Sequence, residues 1–433
     1  RTPIRRGSLS IEPGTRAFDN PLSGRHLAGQ TGGSRGGGGA VFIDLDGYAY
    51  EAAYQHHMLA AHGLLDRPHA FWCPTLPYTS GVNELLRFAK TGLEVERWFA
   101  QSRASLSSGW KFALLTAYLV RAGRLHGLAL PSPELVPLGE ARRIAEWMAA
   151  KREAGMPAEI RTNPASGVRV CKAAKEAGLD ISGTVFRCDS EPLTPARAAI
   201  FEASGCRALS QYGMTEVGLV ALPCARPNAV DDVHLITDKL ALILREQVLP
   251  GGQSVQAHHY TTLLTYTPKL LINVAMGDHS AVEHRSCGCG LDGLGYGVHL
   301  HTIRSHEKLT SEGMNFLGHD LIRLLEEVLP ARFGGGPTDY QLVEREEDGL
   351  PRVELVVSPA VGPADEAELT AAVLAFLDRV PGANAAYGER WRDGQTLRVV
   401  RREPYATGAQ KVLALHMLKP GPAAARDTGR PTA

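Results

Sequence analysis

The sharpest chemical signal in the sequence is the stretch ALSQYGMTEVG, residues 208–218. A short apolar run ends there in Tyr212, Gly213, Met214, Thr215 and Glu216. Glycine permits a sharp turn, so a hydroxyl and a carboxylate would be presented together at the end of a strand. Those two groups are suited to meeting a phosphate and its Mg²⁺. The plainer alternative is a strand followed by a polar turn, and these residues alone leave both interpretations open.

Four cysteine and histidine residues form a second candidate site. Nine residues separate Cys224 from His234, and one residue separates Cys287 from Cys289. Three sulfurs and one imidazole can bind Zn²⁺ tetrahedrally, and four protein ligands leave no open position for catalysis. The sequence therefore predicts a structural zinc site, and the alternative is a group of buried free cysteines. The odd, scattered set of seven cysteines is typical of reduced thiols in the cytoplasm.

A glycine-rich segment near the start, GQTGGSRGGGG, has three interpretations: a linker, an expression remnant or a loop that binds phosphate. A Walker A loop is excluded because no Gly-Lys pair closes the segment. A flexible linker is not expected to lead directly into AVFIDLDGYAYEAAYQHHMLAAHGLL, which has the pattern of a strand and a helix. Bare backbone N–H groups and two hydroxyls suit a polyanion.

The bulk composition excludes several classes of protein. The 433 residues predict two or three domains. The 46 basic and 46 acidic residues balance, which argues against a dedicated nucleic-acid binder. No apolar run is long enough for a membrane span; the most apolar stretch, WKFALLTAYLVRAGRLHGLAL, is interrupted by Arg121 and Arg124 and predicts a buried helix. The chain begins at Arg1 without a signal peptide, so we expect a processed or truncated product.

Two regions with different patterns of predicted helices and strands indicate two domains. Up to about residue 303, helical stretches such as GVRVCKAAKEAGLD alternate with short apolar runs such as GTVFRC, as in a layered α/β sheet whose ligands gather at the carboxyl ends of strands. Beyond it, a helix ended by Pro330, two strands around a glycine turn, a helix capped near Asp365 and a last strand predict a compact α+β module. We expect domains at 1–303 and 304–418 and a disordered tail at 419–433.

The order of these motifs resembles the adenylate-forming superfamily, which includes the acyl- and aryl-CoA synthetases. The YGMTE pentapeptide resembles its signature, and the preceding stretch GLDISGTVFRCDSEPLTP looks specifically like the phenylacetate-CoA ligase branch. In that branch two glycines stand where this chain has Asp189 and Ser190. The resemblance implies that Thr215 and Glu216 are catalytic, the latter with Mg²⁺. It implies that ATP or AMP contacts Ser190, Glu191, Gln211, Tyr212, Gly213 and Met214.

Three further segments extend the resemblance along the chain. TTLLTYTPKLLINVAMGDHS is similar to a family stretch whose aspartate, here Asp278, binds the ribose hydroxyls. IRSHEKLTSEGMNF resembles the hinge, with Arg304 in the place of an arginine that reaches ribose or phosphate and His306 in the place of an acidic residue. EPYATGAQKVLALHML resembles the closing motif, whose lysine is Lys411 here. The glycine-rich segment matches the family's loop for the β- and γ-phosphates in the residues Thr31, Gly32, Gly33, Ser34, Arg35 and Gly36.

The resemblance implies an α/β protein with the adenylate-forming fold: a large layered N-terminal domain, shortened at its start, and a small mobile α+β lid. It implies that the chain activates a carboxylic acid, aryl or arylacetic, with ATP and Mg²⁺ and transfers the acyl group to coenzyme A. Two alternatives stay open: an amide synthetase or carrier-protein loader, and a nucleotide-binding protein without turnover. We expect a cytoplasmic protein that contacts neither nucleic acid nor membrane, with a homodimer among its possible states.

Overall fold

The computed structural model describes residues 4–12, 16–24, 26–30, 40–76, 78–101, 110–248, 254–305, 309–311, 314–316, 323–336, 338–379, 387–405 and 415–417. Its helices are α1 (Tyr48–Ala61), α2 (Ser80–Thr91), α3 (Trp110–Leu125), α4 (Ala141–Glu153), α5 (Pro164–Ala177), α6 (Pro195–Ala203), α7 (Leu329–Phe333), α8 (Glu366–Leu377) and α9 (Tyr387–Gly394). A π-helical turn, Leu324–Val328, precedes α7 directly.

The strands of the first part are β1 (Ile4–Arg6), β2 (Leu9–Ile11), β3 (Leu27–Gln30), β4 (Ala40–Ile43), β5 (His69–Trp72), β6 (Arg97–Ala100), β7 (Pro133–Leu135), β8 (Glu159–Thr162), β9 (Val185–Cys188), β10 (Arg207–Ser210), β11 (Tyr212–Met214) and β12 (Gly218–Pro223). They are followed by β13 (Val233–Leu235), β14 (Leu240–Val248), β15 (Ser254–Thr262), β16 (Val274–His284), β17 (Val298–Ser305), β18 (Leu309–Ser311), β19 (Met314–Phe316), β20 (Tyr340–Glu347), β21 (Leu350–Val357), β22 (Leu397–Arg401) and β23 (Leu415–Met417).

A six-stranded parallel sheet forms the centre of the α/β part, in the order β10-β9-β8-β5-β6-β7. Strands β5, β8 and β9 are buried along their whole length, as expected for a parallel sheet covered by helices on both faces. The helices begin and end where local chemistry dictates. In α5, the Asn163 side chain accepts from the Ser166 amide at 2.8 Å, and Gly178 ends the helix with φ of 67°.

A seven-stranded antiparallel sheet, β11-β12-β13-β17-β16-β15-β14, stands beside the parallel sheet and begins where β10 ends. Its own core includes Val220, Val233, Tyr260 and Leu300, all fully buried. The sequence did not predict this second sheet as a unit, although its strands carry the Asp278 and Arg304 motifs. The predicted layered α/β part is confirmed, and this sheet is added to it.

The C-terminal part contains a four-stranded sheet in the order β22-β21-β20-β23. The Asp365 carboxylate caps α8 by accepting from two backbone amides, and Asp348 and Gly349, both with positive φ, form the tight turn between β20 and β21. These features were predicted. The expected helix end at Pro330 is wrong, because this proline lies in the first turn of α7, where it needs no amide partner.

The β20–β21 turn lies against α6 of the α/β part. The Arg197 guanidinium donates to the Gly349 carbonyl at 3.0 Å, and the Thr194 hydroxyl donates to the Glu346 carboxylate at 2.6 Å. A side chain at Gly349 would bring its Cβ to 2.5 Å from a methyl carbon of Ile200. The four-stranded sheet is therefore fitted closely to α6, the helix that follows the Asp189 segment.

The burial expected for α3 is wrong. Four of its large apolar side chains are exposed, and they are considered below. No helix among the described residues is long and apolar enough to cross a membrane.

Candidate functional site

The carboxyl ends of three central strands form one polar edge. Strands β8, β9 and β10 end level with one another, since Thr162 pairs with Cys188 and Cys188 pairs with Ser210. Asp189 and Gln211 are the next residues of β9 and β10. Gln211 is buried, and its side-chain oxygen accepts from Arg187 at 3.4 Å. This is the edge at which open α/β sheets bind their ligands.

The turn after β11, residues 215–217, is held by contacts of the backbone. A Cβ on Gly213 would lie 3.2 Å from the Gly218 carbonyl oxygen, so a larger residue would strain the turn. The Glu216 carbonyl accepts from the Lys269 amide at 3.1 Å. The side chains of Thr215 and Glu216 are half-buried, so a hydroxyl and a carboxylate remain partly accessible beside the strand ends. Met214, also half-buried, packs on the core of the antiparallel sheet.

A buried chain of hydrogen bonds joins two of the predicted nucleotide residues. The Tyr212 hydroxyl donates to the Asp278 carboxylate at 2.7 Å and also hydrogen-bonds the Tyr260 hydroxyl. The Tyr260 oxygen lies 3.0 Å from Nδ1 of His258, whose Nε2 lies 2.8 Å from the Ser280 hydroxyl. Burial, followed by the nearby Tyr260 and the Asp278 carboxylate, raises the pKa of Tyr212, so the phenol keeps the proton that it donates.

Arg304 lies close to Asp278 in the sheet but faces the other way. Strands β16 and β17 pair so that Asp278 is opposite Ser305 and His279 is opposite Arg304. Because successive side chains of a strand point to opposite faces, Asp278 and Arg304 lie on different faces of the sheet. The Arg304 guanidinium instead contacts the Asp231 carboxylate at 3.4 Å. The structure therefore places these two predicted ribose ligands on adjacent strands without bringing them together.

In the Asp189–Glu191 segment, Ser190 adopts a backbone conformation that is usual for glycine. Ser190 has φ of 69°, a left-handed conformation in which glycine is usual, and its side chain is exposed. Arg161 donates to the Asp189 carboxylate from Nε at 2.9 Å. Glu191 is buried and accepts from Arg197 at 3.0 Å. Of the two predicted nucleotide contacts here, Ser190 is accessible and Glu191 is committed to an internal ion pair.

A buried ion network lies beneath the polar edge. Glu84 contacts Arg87, Arg161 and Arg187, and Arg187 also donates to Glu159 at 2.9 Å. Burial alone would raise the pKa of Glu84, but the three guanidinium groups outweigh it and lower that pKa to about 2. The sequence analysis missed these residues. The only signal was the charged side chains within two short strands, two in EIRT and one in VFRC.

The four predicted zinc ligands converge. Sulfur atoms of Cys224 and Cys287 lie 3.7 Å apart, and Nε2 of His234 lies 3.6 Å from Cys287 Sγ and 3.2 Å from Cys289 Sγ. Tetrahedral zinc would separate two such sulfurs by about 3.8 Å and a sulfur from a nitrogen by about 3.5 Å. The Nδ1 atom of His234 lies 2.5 Å from the Tyr296 carbonyl, which leaves Nε2 free to face the sulfurs.

The remaining predicted residues lie outside the described part of the chain. They are the phosphate-loop residues 31–36 and Lys411. The strands on either side of the loop, β3 and β4, pair antiparallel with Gln30 opposite Ala40.

Comparison with known proteins identifies the fold. No family model and no curated protein matches the chain. The solved structure of 2-hydroxyisobutyryl-CoA ligase, in complex with 2-HIB-AMP and CoA, aligns with 92% of this chain and 75% of its own, at TM-score 0.56 and 16% identity. That of o-succinylbenzoate CoA synthetase from Bacillus subtilis covers 91% and 69%, at TM-score 0.48 and 12% identity. The first likeness shows that the chain has the adenylate-forming fold, as its motifs predicted.

Proposed function

We propose that this chain is an AMP-forming acid–thiol ligase of the adenylate-forming superfamily. It would activate a carboxylic acid with ATP and pass the acyl group to coenzyme A. The observation that carries the proposal is the hydrogen bond between Tyr212 and Asp278, since Tyr212 follows the carboxyl end of β10 and precedes the partly accessible Thr215 and Glu216 side chains. The adenylate-forming fold supports it.

In this proposal each part of the site has a separate task in the first step. Asp278 accepts from the ribose hydroxyls, Tyr212 holds that carboxylate in place, and Thr215 and Glu216 contact the phosphates. Mg²⁺, when bound near Glu216, would neutralise phosphate charge. The acid's carboxylate oxygen attacks the α-phosphorus and pyrophosphate leaves. The protein contributes by positioning the reactants and balancing charge. We also assign to phosphate binding Thr31, Gly32, Gly33, Ser34, Arg35 and Gly36.

The lid would complete the site in each half-reaction. We place its boundary at Arg304 and its extent at 304–418, and assign to Lys411 the stabilisation of charge on the α-phosphate. After adenylation the lid rotates, the thiol of coenzyme A attacks the acyl carbonyl, and AMP leaves with the bonding electrons of the broken C–O bond. Arg304, held by Asp231 in this structure, would have to exchange that partner to reach the nucleotide.

The acid is proposed to be aryl or arylacetic, as in the phenylacetate-CoA ligase branch. We place one wall of the acid pocket in the segment HAFWCPTLPYTSGVNELL, which contains β5 and the start of α2. Its apolar side chains, including Trp72 and Val82, are packed in the core. They therefore provide a rigid, apolar backing, to which Gln211 and Tyr212 add polar groups.

We propose in addition a structural zinc ion held by Cys224, His234, Cys287 and Cys289. The measured separations of three pairs of their ligand atoms fit one tetrahedral ion. The ion would tie the end of β12 and β13 to the Cys287 loop. Such a thiolate site suits the reducing cytoplasm, where we place the protein.

The decisive experiment is ATP–pyrophosphate exchange over a panel of aryl and aliphatic acids. We expect exchange with at least one aryl acid, its loss in Lys411→Ala, and its retention in the matched control Lys175→Ala on the exposed side of α5. Adding coenzyme A should then yield a thioester. Exchange without a thioester would indicate an amine or carrier-protein acceptor, and no exchange with any acid would indicate a nucleotide-binding protein without turnover.

A further inference from the structure

Helix α3 exposes a row of large apolar side chains. Trp110 is 57% exposed, Leu114 60%, Tyr118 66% and Leu125 87%. Their spacing of four, four and seven residues places them on one side of the helix. Scattered exposed apolar residues are ordinary, but a contiguous row of this kind marks a surface that another body covers.

The opposite side of α3 holds the helix firmly on the protein. Val120 is buried in the core cluster that also contains Trp98 of β6, and Leu119 packs on the same cluster. Gly123 allows the returning chain to pass closely, because a Cβ there would lie 2.3 Å from a methyl carbon of Leu130. The Arg124 guanidinium donates to the Leu130 carbonyl at 2.7 Å. The helix therefore cannot turn its exposed row inward without breaking these contacts.

The charged residues in the sequence around the row have one sign. Between Glu96 and Glu134 the sequence contains no acidic residue, and its basic residues are Arg97, Arg103, Lys111, Arg121 and Arg124. In a chain whose net charge is zero, this is a local cationic region. Lys111 and Arg121 are exposed on the same helix as the apolar row. Their long side chains can extend around apolar groups toward an anionic layer.

We propose that α3 is a membrane-surface contact: its row of Trp110, Leu114, Tyr118 and Leu125 enters the interface of a bilayer, and Lys111 and Arg121 meet anionic headgroups. An aromatic and aliphatic row flanked only by cations is the pattern of helices that lie in the plane of a membrane. This differs from the expectation that the protein contacts no membrane, which rested on the absence of a spanning segment.

Two other occupants fit the structure less well. A second copy docked through the same helix by two-fold symmetry would bring cationic regions together, at an electrostatic cost. A protein partner would have to supply carboxylates placed against Lys111 and Arg121, whereas a fluid headgroup layer needs no such match.

The protein contains its own reporter for this contact. Of its five tryptophans, Trp72, Trp98 and Trp391 are buried, Trp147 is half-buried and Trp110 is exposed. We expect vesicles of phosphatidylcholine with phosphatidylglycerol to shift the tryptophan emission to shorter wavelength and to sediment the full-length chain. Vesicles of phosphatidylcholine alone should do so about tenfold more weakly, and high salt should remove the difference.

Variants separate the two components of the contact. Leu114→Ser with Tyr118→Ser should lower vesicle binding about tenfold or more, and Lys111→Glu with Arg121→Glu should abolish the preference for anionic lipid. The matched control is Leu244→Ser with Leu263→Ser, exposed apolar residues in β14 and directly after β15, and this variant should bind as the unchanged protein does. Circular dichroism would verify folding for each variant.

An unshifted emission with every vesicle would overturn the proposal. A shift that depends on protein concentration without lipid would assign the row to a second copy and also overturn it. A shift produced by an acidic protein but by no vesicle would do the same.

Discussion

The Tyr212 hydroxyl and the Asp278 carboxylate, 66 positions apart in the sequence, are joined by a hydrogen bond of 2.7 Å. The first begins β11, the edge strand of the antiparallel sheet, and the second lies in the middle of β16, an inner strand, so the bond joins two strands that are not neighbours in the sheet. Tyr260, which is fully buried, hydrogen-bonds Tyr212 and contacts His258. The orientation of the carboxylate thus depends on Tyr212 and, through it, on Tyr260 and His258, which no motif identifies.

Removing the Tyr260 hydroxyl should weaken nucleotide binding while leaving chemistry nearly intact. In Tyr260→Phe the Tyr212 hydroxyl loses one partner, at a cost of about 0.5–1.5 kcal/mol, so we expect the KM for ATP to rise about 2- to 10-fold with little change in kcat. Pyrophosphate-exchange rates against ATP concentration measure both constants. Tyr118→Phe, on the exposed side of α3, is the control. An unchanged KM for ATP would show that Tyr260 does not position the site.

Replacing one zinc ligand should release the metal. In Cys289→Ser we expect the zinc content to fall from about one ion per chain to a small fraction, with a lower unfolding temperature, because structural zinc stabilises only the folded state. Elemental analysis of freshly purified protein and thermal scans test this. Cys188→Ser, a buried cysteine at the end of β9, is the matched control and should keep its zinc. Metal-free unchanged protein would rule out the zinc site.

The buried carboxylate of Glu84 should make the free energy of unfolding depend on pH in the acid range. Its pKa is about 2 in the folded chain against an ordinary value of 4.5, so its contribution is complete above pH 4.5 and is lost as the pH falls toward 2. In Glu84→Gln we expect a loss of about 3–5 kcal/mol at pH 7, since three arginines lose their shared partner. The decline of stability below pH 4.5 should also be shallower.

Urea unfolding at pH 7 and pH 3.5 measures both effects of the Glu84 substitution. Glu134→Gln, a partly exposed partner of Arg97 and Arg143, should change neither value by more than about 1 kcal/mol. Equal losses for the unchanged protein and Glu84→Gln on acidification would contradict the assignment.

Weakening the contact between Glu346 and α6 should free the lid sheet. Glu346 accepts from Thr194 at 2.6 Å and pairs with Arg197 at 3.1 Å. In Glu346→Gln we expect a loss of about 1 kcal/mol in docking, and therefore about fivefold faster amide exchange in the β20–β21 turn, with the core of the lid unchanged. Glu347→Gln, the exposed neighbour, is the control. Identical exchange in both variants would exclude a docking role for Glu346.

Structural features that depend on neighbouring residues or on the order of the motifs could be predicted from the sequence. The helix cap at Asp365, the glycine turn between β20 and β21 and the strand before Asp189 follow from local preferences, and they are confirmed. The pairing of Tyr212 with Asp278 could not be predicted, because it depends on strand register in a sheet that the pattern did not define. The same register turns Arg304 away from Asp278.

One other difference has a physical cause that a linear pattern does not contain. The helical stretch after Gly109 was expected to be buried because it is apolar on nearly every side, but only its Val120 side meets the core. The pairing of Glu191 with Arg197 from α6 also could not be read from the sequence, and the nucleotide contact of Glu191 stays a prediction. In both cases the deciding factor is which partner the tertiary fold brings near.

Arg197 contacts two parts of the protein that are expected to move relative to each other. Its guanidinium donates to Glu191, in the segment beside the nucleotide edge, and to the Gly349 carbonyl of the lid. In the proposed mechanism the lid departs, and Arg197 then loses its acceptors at Gly349 and Glu346. A nucleotide that perturbs the Glu191 segment would change the free energy of lid docking, and lid docking would change the free energy of nucleotide binding by the same amount. One arginine would thus make lid position and nucleotide occupancy thermodynamically linked variables.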